Sequence, residues 1–240
     1  MSESTKIALW SGPRNISTAL MYSFANRSDT EIVDEPLFGY FLKQTGVWRP
    51  SREEVLQSME TDSKILIDNL LNSEVDAPVF FMKHMANHLI GLDWDFVKNF
   101  KNIILIRDPN DMLLSYSRNM RQPTLLDTAY KMQIELAEYL TANKLPFSVL
   151  NSKNILLNPE GQLRTLCDKL GIEFQGGMLD WEAGPRKEDG IWAKYWYESV
   201  HKSTGFGTFR EKHEELPERL NPIYEECMDY YSRLRKYEMK

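Results

Sequence analysis

Five short apolar runs, each of strand length and separated by helix-like stretches, constrain this chain more than any other feature. They lie at 6–11, 31–35, 79–83, 102–107 and 147–151. Val, Ile, Leu and Phe fill them with little polar alternation, the pattern of parallel strands covered on both faces. Helical composition occupies 18–26, 109–120 and 124–144, the last opened by Thr124 with Asp127 three residues on. Ser51 and Glu54 open a further predicted helix running to Leu71. Residues 162–170 form another, closed by Gly171, and 214–237 is a mostly helical tail interrupted by Pro217 and Pro222. Strand alternating with helix predicts an α/β fold: a doubly wound, mainly parallel five-stranded sheet with right-handed crossovers. At 240 residues, the chain is expected to form one domain, 1–240.

Ligands of such a sheet bind at the carboxyl ends of its strands. The chemically suggestive residues cluster there. Ser11-Gly12-Pro13-Arg14 follows the first run, Asp34-Glu35-Pro36 closes the second, Lys83-His84 the third and Arg107-Asp108-Pro109 the fourth. The loop Gly12, Pro13, Arg14, Asn15, Ile16, Ser17, Thr18 joins a strand to a helix, where backbone N–H groups and the helix dipole favour an anion. It lacks the Gly-Lys-Ser/Thr of a Walker A loop, and its cation, Arg14, comes early. In the second loop, Arg107 offers a planar fork for a phosphate. Pro109 starts a helix at no hydrogen-bonding cost, and Ser115 sits two turns along it. Asp108 reads as the cap of that helix rather than as a magnesium ligand.

The net charge of −6 disfavours a nucleic-acid or membrane-surface partner, while leaving room for a local basic pocket that takes a small polyanion. Cys167 and Cys227 stand alone, outside any disulfide or zinc spacing. Residues 1–6 lack the basic-then-apolar pattern of a secretory leader, and no apolar run reaches membrane-spanning length, so a cytoplasmic protein is expected. Nothing in the sequence specifies an oligomeric state.

Pro13, Arg14, Ser17 and Thr18 resemble the 5′-phosphosulfate loop of sulfotransferases that use 3′-phosphoadenosine 5′-phosphosulfate (PAPS), Pro-Arg/Lys-Ser-Gly-Thr-Thr; Asn15 replaces its Ser and Ile16 its Gly. Arg107-Asp108-Pro109 with Ser115 resembles the 3′-phosphate site of that family. The stretch 157–172 is similar to the segment after its fifth strand. Arg186-Lys187 resembles its closing Arg-Lys-Gly loop, with Glu188 in place of Gly. The likeness is closer to bacterial and algal members than to animal cytosolic enzymes. It implies a three-layer sandwich of the P-loop NTPase type, with 37–78 as an acceptor-side helical insertion and 183–210 as a nucleotide-closing loop. It further implies sulfuryl transfer from PAPS to a small-molecule acceptor, release of 3′-phosphoadenosine 5′-phosphate (PAP), and no metal. Donor-binding candidates are then residues 12–18, Arg107, Ser115, Arg186 and Lys187.

Sulfuryl transfer needs a grip on the donor, charge stabilisation at the leaving phosphate and a base for the acceptor. Arg14 is the candidate for the charge. Glu35 and His84 compete as base, with His88 behind them, and Lys83 either contacts the sulfuryl group or neutralises Glu35. Tyr40, Phe41, Trp48, Trp192, Trp196 and Tyr197 are candidate acceptor walls, and Phe206 and Phe209 could approach an adenine. A P-loop kinase and a non-catalytic PAPS or PAP binder are the competing readings.

Overall fold

The computed structural model describes residues 4–73, 75–211 and 214–239. Its five strands are β1 (Thr5–Ser11), β2 (Thr30–Asp34), β3 (Val79–Met85), β4 (Lys101–Ile106) and β5 (Phe147–Asn151), in the order β2-β3-β1-β4-β5, all pairs parallel. Alternation assigns each strand's side chains to opposite layers. Ile7 and Leu9 of β1 and Ile103 and Leu105 of β4 face one core. Ala8, Trp10, Ile104 and Ile106 face the other. Both faces are covered, which is why the runs read as continuous apolar stretches.

The helices are α1 (Ser17–Ala25), α2 (Phe38–Thr45), α3 (Arg52–Ser58), α4 (Ser63–Asn72), α5 (Pro109–Tyr116), α6 (Leu125–Thr128), α7 (Tyr130–Ala142), α8 (Ser152–Leu157), α9 (Pro159–Leu170), α10 (Ala193–Trp196), α11 (Glu198–His201) and α12 (Asn221–Leu234). None among the described residues is long and apolar enough to cross a membrane. The chain leaves β1 through α1 toward β2 at one edge and leaves β4 through α5 to α7 toward β5 at the other. Adjacent strands whose connections diverge open a crevice at their carboxyl ends. Register sets Ser11 beside Leu105, so the loops after β1 and β4 meet at that crevice.

Three boundaries differ from the sequence expectation. The helix predicted from Ser51 to Leu71 is two: α3 ends at Ser58, Asp62 caps α4 by accepting from the N–H groups of Lys64 and Ile65, and Ser51 is left-handed with no capping bond. The break brings Met59 against Gly39, where an added Cβ would lie 2.9 Å from that of Met59. The 124–144 helix divides at Ala129, whose φ is 66°; the Thr124–Asp127 capping box holds only α6. In the C-terminal tail, Pro222 sits in the first turn of α12, where its missing N–H is harmless, rather than interrupting a helix. Gly171 closes α9 at φ 69° as its position predicts.

Candidate active site

The loop after β1 is held by its neighbours on every side. Gly12 lies so close to the α6–α7 break that a Cβ there would come within 3.0 Å of the Thr128 carbonyl. Asn15 donates its amide to the Leu105 carbonyl at 2.8 Å, tying the loop to β4. Arg14 and Ile16 are both left-handed, at φ 55° and 63°. Left-handed residues in a tight loop turn successive N–H groups to one side, the geometry of an anion nest. For a β-branched Ile this backbone costs about 1–3 kcal/mol. Its side chain packs into the sheet-face core with Ala19, which keeps it there.

The second loop closes on the first. Arg107 donates to the Arg14 carbonyl, and Arg14 Nε donates to Ser115 Oγ at 3.1 Å. Tyr130 donates to the Arg107 carbonyl at 2.8 Å, fixing that residue from α7. Asp108 caps α5 by accepting from the Asn110 N–H at 2.9 Å, the role its position implied. Burial and then the charge of Arg107 lower the pKa of Arg14. Two guanidiniums held together in a partly desolvated cleft are an arrangement that an added polyanion relieves.

Both loops open into one cavity of about 470 Å³, within the range of small-ligand sites. All of residues 12–18, with Arg107 and Ser115, line it. Glu35, Lys83 and His88 line it too, as do Phe38, Phe41, Trp192, Trp196 and Tyr197. The sequence candidates at four strand ends therefore converge on a single space.

Lys83 is 1% exposed, and its ammonium is shared among three acceptors. These are Asp34 Oδ1 at 3.0 Å, the Tyr197 hydroxyl at 2.7 Å, and Glu35 Oε1. All three of its N–H donors are thus used within the protein, leaving none for a transferring group. Its role is to compensate Glu35 and Asp34. Burial lowers the Lys83 pKa, but the two carboxylates overrule that and hold it well above its ordinary value. Glu35 is itself left-handed, at φ 45°, with its N–H bonded to the Lys83 carbonyl at 2.7 Å. Burial raises the Glu35 pKa, with Lys83 opposing and Asp34 reinforcing the rise.

His84 is a correction. β3 continues to Met85, so consecutive residues point to opposite faces, and His84 turns away from the cavity that Lys83 faces. Its ring stacks on Trp10 with centroids 4.3 Å apart, and it is fully buried. Burial, then the charge of Lys83, pushes its pKa down to about 3, so it is a neutral core residue. His88 reaches the cavity wall between Phe38 and Phe41, at 5.2 and 4.7 Å, and burial holds it neutral as well.

The sequence profile of the sulfotransferase domain matches residues 5–235. This chain belongs to the sulfotransferase family. It is 40% identical over 232 residues to branched-chain-amino-acid aminotransferase-like protein 1 of Arabidopsis thaliana and 38% identical over 230 residues to protein 2 of that name. It spans 42% and 41% of those proteins' lengths, against 93% and 95% of its own. A sulfotransferase from Alicyclobacillus acidocaldarius shares the fold, with a TM-score of 0.55 at 11% identity, over 98% of this chain and 96% of that one.

The sulfotransferase chain departs from the family resemblance in its closing loop. Arg186 and Lys187 do not line the cavity. The Arg186 guanidinium lies over the Tyr22 ring at 4.6 Å, and its backbone N–H bonds Asp189 at 2.9 Å. Lys187 is exposed beside Glu188. Asp189 accepts from Tyr22 at 2.7 Å and meets His201 Nε2 at 2.9 Å, pinning the segment to α1. What reaches the cavity from 183–210 lies further on: Trp192, Trp196 and Tyr197, then Ser199, Val200, Ser203, Gly205, Gly207 and Thr208.

Sequence reasoning also missed polar groups of the wall. Arg49, between α2 and α3, pairs with Asp127 of α6, and both line the cavity beside Asn87 and Tyr116. An Arg in a predicted insertion and an Asp in a capping box carried no signal that they would meet. Trp48, by contrast, is 72% exposed, while Tyr40 bonds the Ile90 carbonyl at 3.2 Å; neither lines the cavity. Phe206 packs on Trp181, and Phe209 lies under Lys153.

Proposed function

We propose that the protein transfers the sulfuryl group of PAPS to a hydroxyl or amine of a small acceptor and releases PAP. The observation that carries this is the single cavity, which joins both anion loops to Glu35. Residues 12–18 hold the 5′-phosphosulfate, and Arg107 with Ser115 holds the 3′-phosphate. Ser199 to Thr208, rather than Arg186 and Lys187, walls the donor from the C-terminal side.

In the chemical step Glu35 takes the proton of the acceptor hydroxyl while its oxygen forms a bond to sulfur. The bond from sulfur to the bridging phosphate oxygen breaks, and PAP departs with the electron pair. Arg14 stabilises the charge that grows on that phosphate. The aromatic walls Phe38, Phe41, Trp192 and Trp196 suit an acceptor with an apolar body.

Transfer of 35S from labelled PAPS into a panel of alcohols, phenols, amines and sugars tests the reading. Labelled product that Glu35→Gln fails to make supports it. PAP binding without transfer to any acceptor points instead to a non-catalytic nucleotide binder. ATP turnover with magnesium would revive the kinase reading.

A further inference from the structure

The polar network behind Glu35 contains more than a base and its counter-ion. Asp34 ends β2 at 5% exposure, its side chain facing inward, and its Oδ1 accepts from Lys83 at 3.0 Å. Its Oδ2 accepts from the Tyr197 hydroxyl at 2.7 Å and from the Gly190 N–H at 3.2 Å. Tyr197 accepts in turn from Lys83 at 2.7 Å and from Trp192 Nε1 at 3.2 Å. Asp34 thus has both oxygens engaged, and Lys83 has all three protons placed. Glu35 is the member whose carboxylate has one oxygen tied to Lys83 and lines the cavity.

Two buried carboxylates on one ammonium leave the cluster one negative charge in excess, and such charges compete for the cation. The Tyr197 and Gly190 donors satisfy Asp34, so Lys83 is not drawn wholly to it. We infer that Asp34 and Tyr197 are positioning residues that act through Lys83 to orient Glu35 and set how tightly it holds a proton. This rests on the reading of Glu35 as the base. Tyr197 lies between α10 and α11, so the base is completed by the same C-terminal segment that walls the donor end of the cavity. The other charged or titratable groups facing that space are Arg14, Arg107, Arg49, Asp127, Tyr116 and His88. None of them has a hydrogen bond into the Asp34–Lys83–Tyr197 network, and His88 feels it only through the charge of Lys83.

Infrared difference titration of the full chain reads the Glu35 carboxyl without an acceptor, its protonated C=O band being assigned by its loss in Glu35→Gln. Asp34→Asn removes the competing like charge, and the midpoint falls by about one pH unit. Tyr197→Phe strips Asp34 of its hydroxyl donor, Lys83 shifts toward Asp34, and the midpoint rises. An unmoved or raised midpoint in Asp34→Asn overturns the inference. If that variant does not fold, Tyr197→Phe carries the test, and an unmoved or lowered midpoint there overturns it. Calorimetric titration of the same wild-type protein with PAP separates the two levels. Absent PAP binding with the midpoints moving as stated sinks the sulfotransferase chemistry and spares the cluster. PAP binding with unmoved midpoints does the reverse.

Discussion

At one end of the cavity the groups proposed to meet the donor's anions come from two short loops, each directly after a central strand, which the register of β1 and β4 sets side by side. At the other end, Lys83 and Asp34 come from neighbouring strands, and their third partner, Tyr197, is 114 residues from Lys83 in sequence. The first end is built from backbone conformation and close approach: Gly12 against Thr128, left-handed Arg14 and Ile16. The second is built from buried charge, where every hydrogen must find an acceptor. A site of the first kind tolerates changes of side chain that leave the loop shape intact. One of the second kind does not, because removing one partner leaves an unpaired charge in the core.

The largest expected effect follows from that contrast. Lys83→Met leaves Asp34 and Glu35 facing each other without a cation, and denaturant unfolding at neutral pH should register a loss of about 3–5 kcal/mol. Two unpaired buried carboxylates hold protons more tightly folded than unfolded, so the deficit should shrink as pH falls. A variant as stable as wild type would mean that the cluster is more hydrated than its burial indicates.

Next comes the chemistry. Glu35→Gln should lower turnover by about 10²–10⁴-fold while leaving PAP affinity nearly unchanged. In wild type the base works only when ionised, so kcat/KM should fall as pH drops through the Glu35 pKa. Burial, opposed by Lys83, puts that limb above the ordinary carboxylate value of 4.5. The limb should be missing from the residual activity of the variant. Equal losses in PAP affinity and turnover would place Glu35 in donor binding instead.

Smaller effects sharpen the donor end. Arg186→Ala should change the PAP dissociation constant by less than about threefold, since Arg186 rests on Tyr22 outside the cavity. A tenfold weakening would restore the role the family resemblance gave it. Ile16→Gly should shift unfolding stability by no more than about 1 kcal/mol, because relief of a left-handed β-branched residue offsets lost packing and the freedom glycine adds to the unfolded chain.

How much could be read in advance tracks the same division. The sheet, its parallel sense and the two loops were legible because they rest on local signals: apolar runs of strand length, Pro109 after Asp108, Gly12 after β1. The left-handed turn at Ala129 was not, since an alanine between two helical stretches gives no local warning. Its neighbour is Gly12, more than a hundred residues away in sequence, where an added Cβ would come within 3.0 Å of the Thr128 carbonyl. His84 was misplaced for a reason of phase, because two further residues of strand put it on the opposite face from Lys83. Tyr197 was legible as an aromatic near the cavity but not as the acceptor that takes Lys83's third proton. Aromatic spacing reports burial; it does not report where a hydroxyl ends.

Calorimetric titration with PAP, with ATP as control, reads directly whether the loops after β1 and β4 form one nucleotide site. Wild type should bind PAP tightly and ATP much more weakly. Arg107→Ala should lose roughly tenfold or more of the PAP affinity, since a buried phosphate would go unpaired. Wild-type protein that ignores PAP, or an Arg107→Ala variant that binds it undiminished, would mean that the two loops do not form one nucleotide site.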